Sequence, residues 1–169
     1  MKIETMEDLF LEQIRDLYDA EKQLVKALPK MASASSSDRL RQAFDMHLEQ
    51  TKGHVARLEQ IFSQIDQKSG GESCDGMKGL ISEGEDVVDD VDKSPLRDAG
   101  LIAAGNRVEH YEMAGYGTAR TFAQMLGYND AARLLEQTLE EEKMADQKLT
   151  QIAESMVNER ALELGTVKK

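Results

Sequence analysis

Apolar residues recur at steps of three and four along four long stretches of the chain, as expected of helices that each bury one face. In the first, about residues 5–31, the stripe is Phe10, Ile14, Leu17, Glu21, Leu24, Leu28 and Met31, opened by a capping box of Thr5 and Asp8. Pro29 lacks an amide proton and is expected to kink or end this helix over its last turn. The second, about 38–64 with Ser37 as N-cap, buries Leu40, Phe44, His47, Thr51, His54, Leu58, Ile61 and Ile65. Ser94-Pro95 opens the third, about 95–126, with Leu101, Val108, Glu112, Ala119 and Phe122 on its stripe. The fourth, about 130–163, follows Gly127 with Asn129 as the expected cap, and turns Leu135, Thr138, Glu142, Ala145, Leu149, Ile152 and Met156 inward. From Val157 to Lys169 the periodicity fades, which predicts a fraying tail.

The connections set the topology. The Ser-rich link Ala32 to Ser36 and the turn at Gly127 are short, so each forces its flanking helices into an antiparallel hairpin. Residues 67–94 form a long crossover, Gly-rich at first, with a short amphipathic helix carried by Met77, Leu80, Ile81, Val87 and Val88. Its acidic run, Glu83, Glu85, Asp86, Asp89, Asp90 and Asp92, reads as a solvated face. The expected fold is all-α, a single domain over 1–169. It is a ferritin-like antiparallel four-helix bundle of two helical hairpins joined by a long crossover with a short extra helix.

The two hairpins repeat one another. A shift of 91 residues pairs Leu17 with Val108, Glu21 with Glu112, Phe44 with Leu135, Leu48 with Leu139, Leu58 with Leu149 and Ile61 with Ile152, without a gap. Approximate twofold symmetry follows, with the special residues meeting near the middle. Ala99, Gly100, Ala103, Ala104, Gly105, Ala114, Gly115 and Gly117 give the third helix a small surface that suits close approach to a neighbour, within the chain or across a dimer.

Composition narrows the partners. The net charge is -11, so the summed field repels nucleic acid and anionic membranes and favours cations. No apolar run reaches the ~18 residues of a membrane span. The lone Cys74 has no partner for an intrachain disulfide, and Met1-Lys2-Ile3-Glu4 does not open a secretory leader. A cytoplasmic protein is the expectation.

Glu21 and Glu112 interrupt apolar stripes, and an ionised carboxylate in a dry helix interface costs several kcal/mol unless it is paired or bound to a cation. A pair of iron or manganese ions would resolve the conflict: such bundles take one Glu from each of two helices and a Glu-x-x-His set from each of the other two. Here the sets are half complete. The second helix offers Thr51 and His54, and the fourth offers Glu142 and Ala145, with Asp146 one residue further on. The ligand set this suggests is Glu21, His54, Glu112, Glu142 and Asp146, with Glu109 and His47 one turn away in supporting positions and Gln50 one residue off the ideal acidic position. The competing reading is a metal-free buried network in which Tyr18, Tyr111, Tyr116, His47, Thr51, Lys52 and Lys143 satisfy the carboxylates. No nucleophilic triad or phosphate loop is present, and no catalytic residue is assigned.

DLYDAEKQL around Glu21, HLEQTKGH from His47 to His54, VEHYEMAGYGT from Val108 to Thr118 and LEEEKMADQKL from Leu139 together resemble the YciE/YciF family of bacterial ferritin-like stress proteins. The resemblance covers nearly the full length. It implies a four-helix bundle with an additional short helix, a homodimer, a cytoplasmic location and a link to stress response. It also implies a di-metal site on the matched Glu21, Glu112 and Glu142, while Gln50 stands where members similar to YciF often carry an acid. Two functions follow as expectations: an iron or manganese protein that handles iron or peroxide under stress, and a metal-free dimeric structural or interaction bundle.

Overall fold

A computed structural model describes residues 2–166 of the 169. The helices are α1 (Met6–Ala34), α2 (Asp38–Gln64), α3 (Asp75–Asp90), α4 (Pro95–Met125), α5 (Asn129–Ile152) and α6 (Asn158–Thr166), with a π-helical turn (Ala153–Val157) between the last two. The described residues contain no strand. α1 and α2 form one hairpin, α4 and α5 the other, and α3 lies in the crossover, packed on α4 and α1.

Most helix boundaries follow local chemistry. Thr5 and Asp8 close the capping box at α1: the Asp8 amide donates to Thr5 Oγ1 at 3.1 Å and the Thr5 amide to Asp8 Oδ2 at 3.0 Å. Ser37 and Ser94 cap α2 and α4 as expected. α4 ends at Gly127, whose φ of +76° lets the Gly127 and Tyr128 amides reach the Gln124 and Ala123 carbonyls. That motif runs straight into α5, so Tyr128 occupies the cap position and Asn129, expected as the cap, is the first helical residue.

Two other expectations are corrected. α1 does not stop or break at Pro29 but continues to Ala34. Pro29 removes one hydrogen bond in the final turn, while burial of Ala32 and Ala34 and the Ser35 amide bonding to the Met31 and Ala32 carbonyls hold that turn closed. The chain after Val157 is also helical through Thr166, because the π-helical turn resets the phase and seats Ala153 and Val157 in the core. The end of the expected fraying tail, residues 167–169, lies outside the described residues.

Gly100, Gly105 and Gly115 of α4 serve contacts within the chain, whereas Ala103 and Ala114 are exposed and Gly117 meets open space. A Cβ at Gly100 would sit 2.6 Å from Val87, one at Gly105 2.8 Å from Leu149, and one at Gly115 2.8 Å from Leu17. Three other helices therefore press against α4 where it has no side chains.

The core is two apolar clusters with a polar layer between them. Leu24, Leu28, Leu40, Phe44, Leu101, Val108, Leu149 and Ile152 belong to one cluster. Phe10, Ile14, Leu17, Leu58, Ile61, Phe62, Ala119 and Leu135 belong to the other. Repeat partners fall in opposite clusters: Leu17 and Val108, Phe44 and Leu135, Leu58 and Leu149, Ile61 and Ile152. The approximate twofold axis therefore passes through the layer between them. Each buried Leu or Ile contributes about 1.5–3 kcal/mol, so a polar layer at the centre is tolerated against a large apolar total.

Candidate metal centre

The layer is built from stripe positions that face inward whatever residue occupies them. Glu21 of α1, His47, Thr51 and His54 of α2, Glu109 and Glu112 of α4 and Glu142 of α5 are each 5% exposed or less. His47 and His54 are two turns apart on one face of α2, and Glu109 and Glu112 are neighbours on α4 by the i, i+3 relation.

Two groups of ligating atoms result. His47, Glu109, Glu112 and Glu142 form one and Glu21, His54 and Glu142 the other, each with its donor atoms within 4.8 Å of one another. Glu142 belongs to both. His47 Nε2 lies 3.3 Å from Glu109 Oε1 and 3.6 Å from Glu142 Oε2. His54 Nδ1 lies 2.9 Å from Glu142 Oε1 and 3.2 Å from Glu21 Oε1.

These atoms converge without bonding well to each other. Glu21 Oε2, His47 Nε2, His54 Nδ1, Glu109 Oε2, both oxygens of Glu112 and both oxygens of Glu142 are buried and lack a hydrogen-bond partner. The close contacts of His54 Nδ1 with Glu142 and Glu21 become hydrogen bonds only when His54 carries a proton there. Unpartnered buried polar atoms cost about 1–3 kcal/mol each, and such atoms are few in ordinary cores. Their concentration on six residues of four helices fits a cation site.

Electrostatics agree. Burial pushes Glu109 and Glu112 well above the ordinary carboxylate range, and the nearby carboxylates push them further. Burial raises Glu21 too, against the pull of His54. Glu142 behaves differently: burial acts upward, yet contact with His54 and the field of His47 outweigh it and hold Glu142 low. His54 is opposed by burial but raised to about 10 by the Glu142 and Glu21 carboxylates. Burial lowers His47. Without cations, the layer must therefore hold protons on acids that would otherwise ionise.

The outer side of the layer orients the histidines. His54 Nε2 lies 2.8 Å from Glu141 Oε2, and Arg57 grips Glu141 with two bonds of 2.7 Å. Held through Nε2 by Glu141, His54 aims Nδ1 inward at Glu142 and Glu21, and the proton these carboxylates keep there must leave for Nδ1 to ligate a metal. His47 Nδ1 faces Gln50 Oε1 at 3.4 Å, while the Thr51 hydroxyl donates to the His47 carbonyl at 2.9 Å. Tyr116 is fully buried and its hydroxyl donates to Glu21 Oε1.

The residues expected from sequence divide accordingly. Glu21, His54, Glu112 and Glu142 come together, and Glu109 and His47 join them directly instead of standing behind. Asp146 does not: it lies outside the layer, accepting from Asn106 Nδ2 at 2.6 Å and facing His110 Nε2 at 3.2 Å. One residue further round the helix from Ala145, it points away from the bundle axis. Gln50 contacts His47 rather than the carboxylates. Sequence reasoning missed Glu141, which reads as part of an acidic surface run, and Arg57; the clue was a buried His54 whose second nitrogen also needed a partner.

Of the residues named for a metal-free network, His47 and Tyr116 reach carboxylates of the layer, and the others bond elsewhere. Lys52 and Lys143 pair with Glu49 and Glu140 at the surface, Tyr18 with Glu59, and Tyr111 with Asp16 and Cys74. Among the hydroxyl and ammonium groups proposed to satisfy the carboxylates, Tyr116 alone reaches one of the layer.

The family model described as a domain of unknown function, DUF892, matches residues 5–162. The chain belongs to this family. It is 48% identical over 162 residues to Protein YciF of Escherichia coli K12, a match covering 95% of this chain and 98% of that one. The crystal structure of the E. coli stress protein YciF superposes with a TM-score of 0.89, over 92% of this chain and 99% of that one. YcfI of Rhodopseudomonas palustris, described as a candidate structural protein, is 42% identical with a TM-score of 0.86, over 88% and 95% of the two chains. A Xanthomonas campestris protein at 18% identity shares the fold, with a TM-score of 0.73 over 90% and 94%. No helix of the described residues is long and apolar enough to cross a membrane.

Proposed function

We propose that this chain is a stress-response protein of the YciF kind whose bundle holds two iron or manganese ions in its central polar layer. The observation that carries this reading is the set of buried, unpartnered donor atoms on Glu21, His47, His54, Glu109, Glu112 and Glu142. Four carboxylates and two imidazoles are the donor inventory of a carboxylate-bridged di-metal bundle, reached here from different positions. Glu109 supplies the acid that Thr51 lacks, and His47 the imidazole that Ala145 lacks. Four ionised carboxylates also balance two divalent cations, which removes the cost of burying either set alone.

Bound ions of this kind supply Lewis acidity and one-electron chemistry toward iron or peroxide. The chain holds Glu142 where it serves both groups, and uses the Arg57–Glu141 pair to keep His54 Nδ1 turned inward. A homodimer in the cytoplasm, with no nucleic-acid or membrane partner, belongs to the same proposal, and sedimentation of the purified protein tests the dimer. Elemental analysis after expression with added iron or manganese tests the core claim. About two ions per chain are expected, and a content well below one would overturn it in favour of a metal-free structural bundle, the role suggested by the description of the R. palustris relative.

A further inference from the structure

The seam between α2 and α5 differs in chemistry from the rest of this acidic surface. A cavity of about 170 Å³ opens there between Phe44, Met46, Met144 and Leu149, and two open depressions continue it along the helices. Six of the chain's eleven glutamines line these hollows: Gln50, Gln60, Gln64, Gln137, Gln147 and Gln151. The surface charges on the linings are Lys148 and the Asp130–Arg133 pair, although the chain carries 32 acids and a net charge of -11. Glu141, which bridges the seam, is neutralised by Arg57.

Gly53 marks the middle. It follows Gln50 by three residues and precedes Arg57 by four, so it shares their side of α2. Its repeat partner is Met144, 62% exposed, and beneath the two His54 meets Glu142. A glycine inside a helix costs about 1 kcal/mol relative to alanine. No atom within 4 Å would meet a Cβ at Gly53, so nothing inside the chain requires a glycine there.

We propose that a second copy of the chain docks on this seam, the two related by a twofold axis near Gly53 and Met144. This gives the homodimer of the proposed function its surface; it rests on that part of the reading and not on the metal. Charge is the first reason. Over most of its surface so acidic a chain repels its copy, and like charges brought together in an interface cost several kcal/mol. The seam offers methionine and uncharged glutamine instead, with charge depleted as in an interface core. Area is the second. From Ala43 to Gln64 the seam runs about 32 Å, and two helices are about 20 Å wide. That makes a flat patch of about 600 Å², within reach of the ~600–1,000 Å² that each chain of a specific dimer buries. Gly53 then lets the partner's side chains approach the α2 backbone. So docked, the partner covers the mouth of the cavity that leads to His47 and Glu109.

Sedimentation equilibrium of the full-length protein tests this with three variants, Gly53→Glu, Met144→Glu and Gly117→Glu, each adding one negative charge and each checked for folding by circular dichroism. Gly117 is the control, since it also lies inside a helix with open space at its Cβ position, but on α4. The parent is expected to sediment as two chains of 18.9 kDa, and Gly117→Glu to associate like it. Gly53→Glu and Met144→Glu are expected to dimerise about 100-fold more weakly. A monomeric parent overturns the proposal together with the homodimer. A folded Gly53→Glu or Met144→Glu that dimerises like the parent, or a Gly117→Glu that weakens association equally, overturns this face and leaves the homodimer standing. The two seam variants lie on different helices, so either one decides the matter if the other misfolds. Metal content enters none of these outcomes, which keeps them separate from the test of the metal centre.

Discussion

His54 of α2 and Glu142 of α5 meet at 2.9 Å in the centre of the bundle. In the internal repeat His54 corresponds to Ala145 and Glu142 to Thr51, so each is the surviving half of a Glu-x-x-His pair whose other half is gone. Their meeting joins two half-motifs into one site. Glu142→Gln is therefore expected to strip metal from both groups at once, whereas Asp146→Asn should leave the content unchanged. Elemental analysis of the two variants side by side checks this, and equal losses would contradict the assignment.

Glu141 acts through His54. Replacement by Gln keeps the shape but removes the charge that holds the proton on His54 Nε2 and anchors Arg57. Metal affinity is expected to fall about 10- to 100-fold. Competition with a chelator of known affinity measures it, and an unchanged affinity would show that His54 orients itself.

Glu112→Gln is expected to stabilise the metal-free protein while lowering its metal uptake. Both Glu112 oxygens lack partners, and the folded carboxyl titrates well above its ordinary value of 4.5. A raised acid is at its least costly below the unfolded value; as pH climbs above 4.5 the unfolded chain gains by ionising and the folded state loses ground. The gain from Gln should hence be small at pH 4 and reach about 1–3 kcal/mol near pH 8. Thermal unfolding of chelator-treated protein at several pH values reads this directly.

Metal uptake near neutral pH should release protons, because Glu109 and Glu112 hold theirs in the metal-free fold. Apparent affinity for Mn(II) is expected to rise between pH 5.5 and 7.5. A pH-stat titration that records uptake with no proton release would argue that the buried acids are not the ligands.

Asp98 lies far from the layer yet is only 1% exposed. Its carboxylate takes the Ser36 amide at 2.7 Å, the Ser36 hydroxyl at 2.6 Å and the Ser37 amide at 2.9 Å, pinning the α1–α2 turn to α4. Asp98→Ala is expected to cost about 2–4 kcal/mol in chemical denaturation, with the metal content of the folded fraction unchanged.

Much of the fold was legible because it depends on local rules. Stripe spacing located the four long helices, and the capping residues Thr5, Ser37 and Ser94 placed three of their starts. Pro29 misled because a missing hydrogen bond is a local cost, which the Ser35 bonds to Met31 and Ala32 and the burial of Ala32 and Ala34 in the core offset. The fourth helix was legible to about 163, and only the fraying expected from Val157 misled: a π-helical turn changes the phase of the apolar pattern, and packing against α4 makes the new phase favourable.

The site divides in the same way. Sequence alone determined that Glu21, His47, His54, Glu112 and Glu142 face inward, since facing follows from the period of the helix and the period is local. Which of them meet was decided by tertiary structure, because helix rotation and the close approach allowed at Gly105 and Gly115 set the distances between helices. That packing brought Glu109 and His47 into the layer, left Asp146 outside it, and made Glu141 the partner of His54. Helical periodicity is written into single segments, whereas the pairing of side chains across four of them exists only once they are packed.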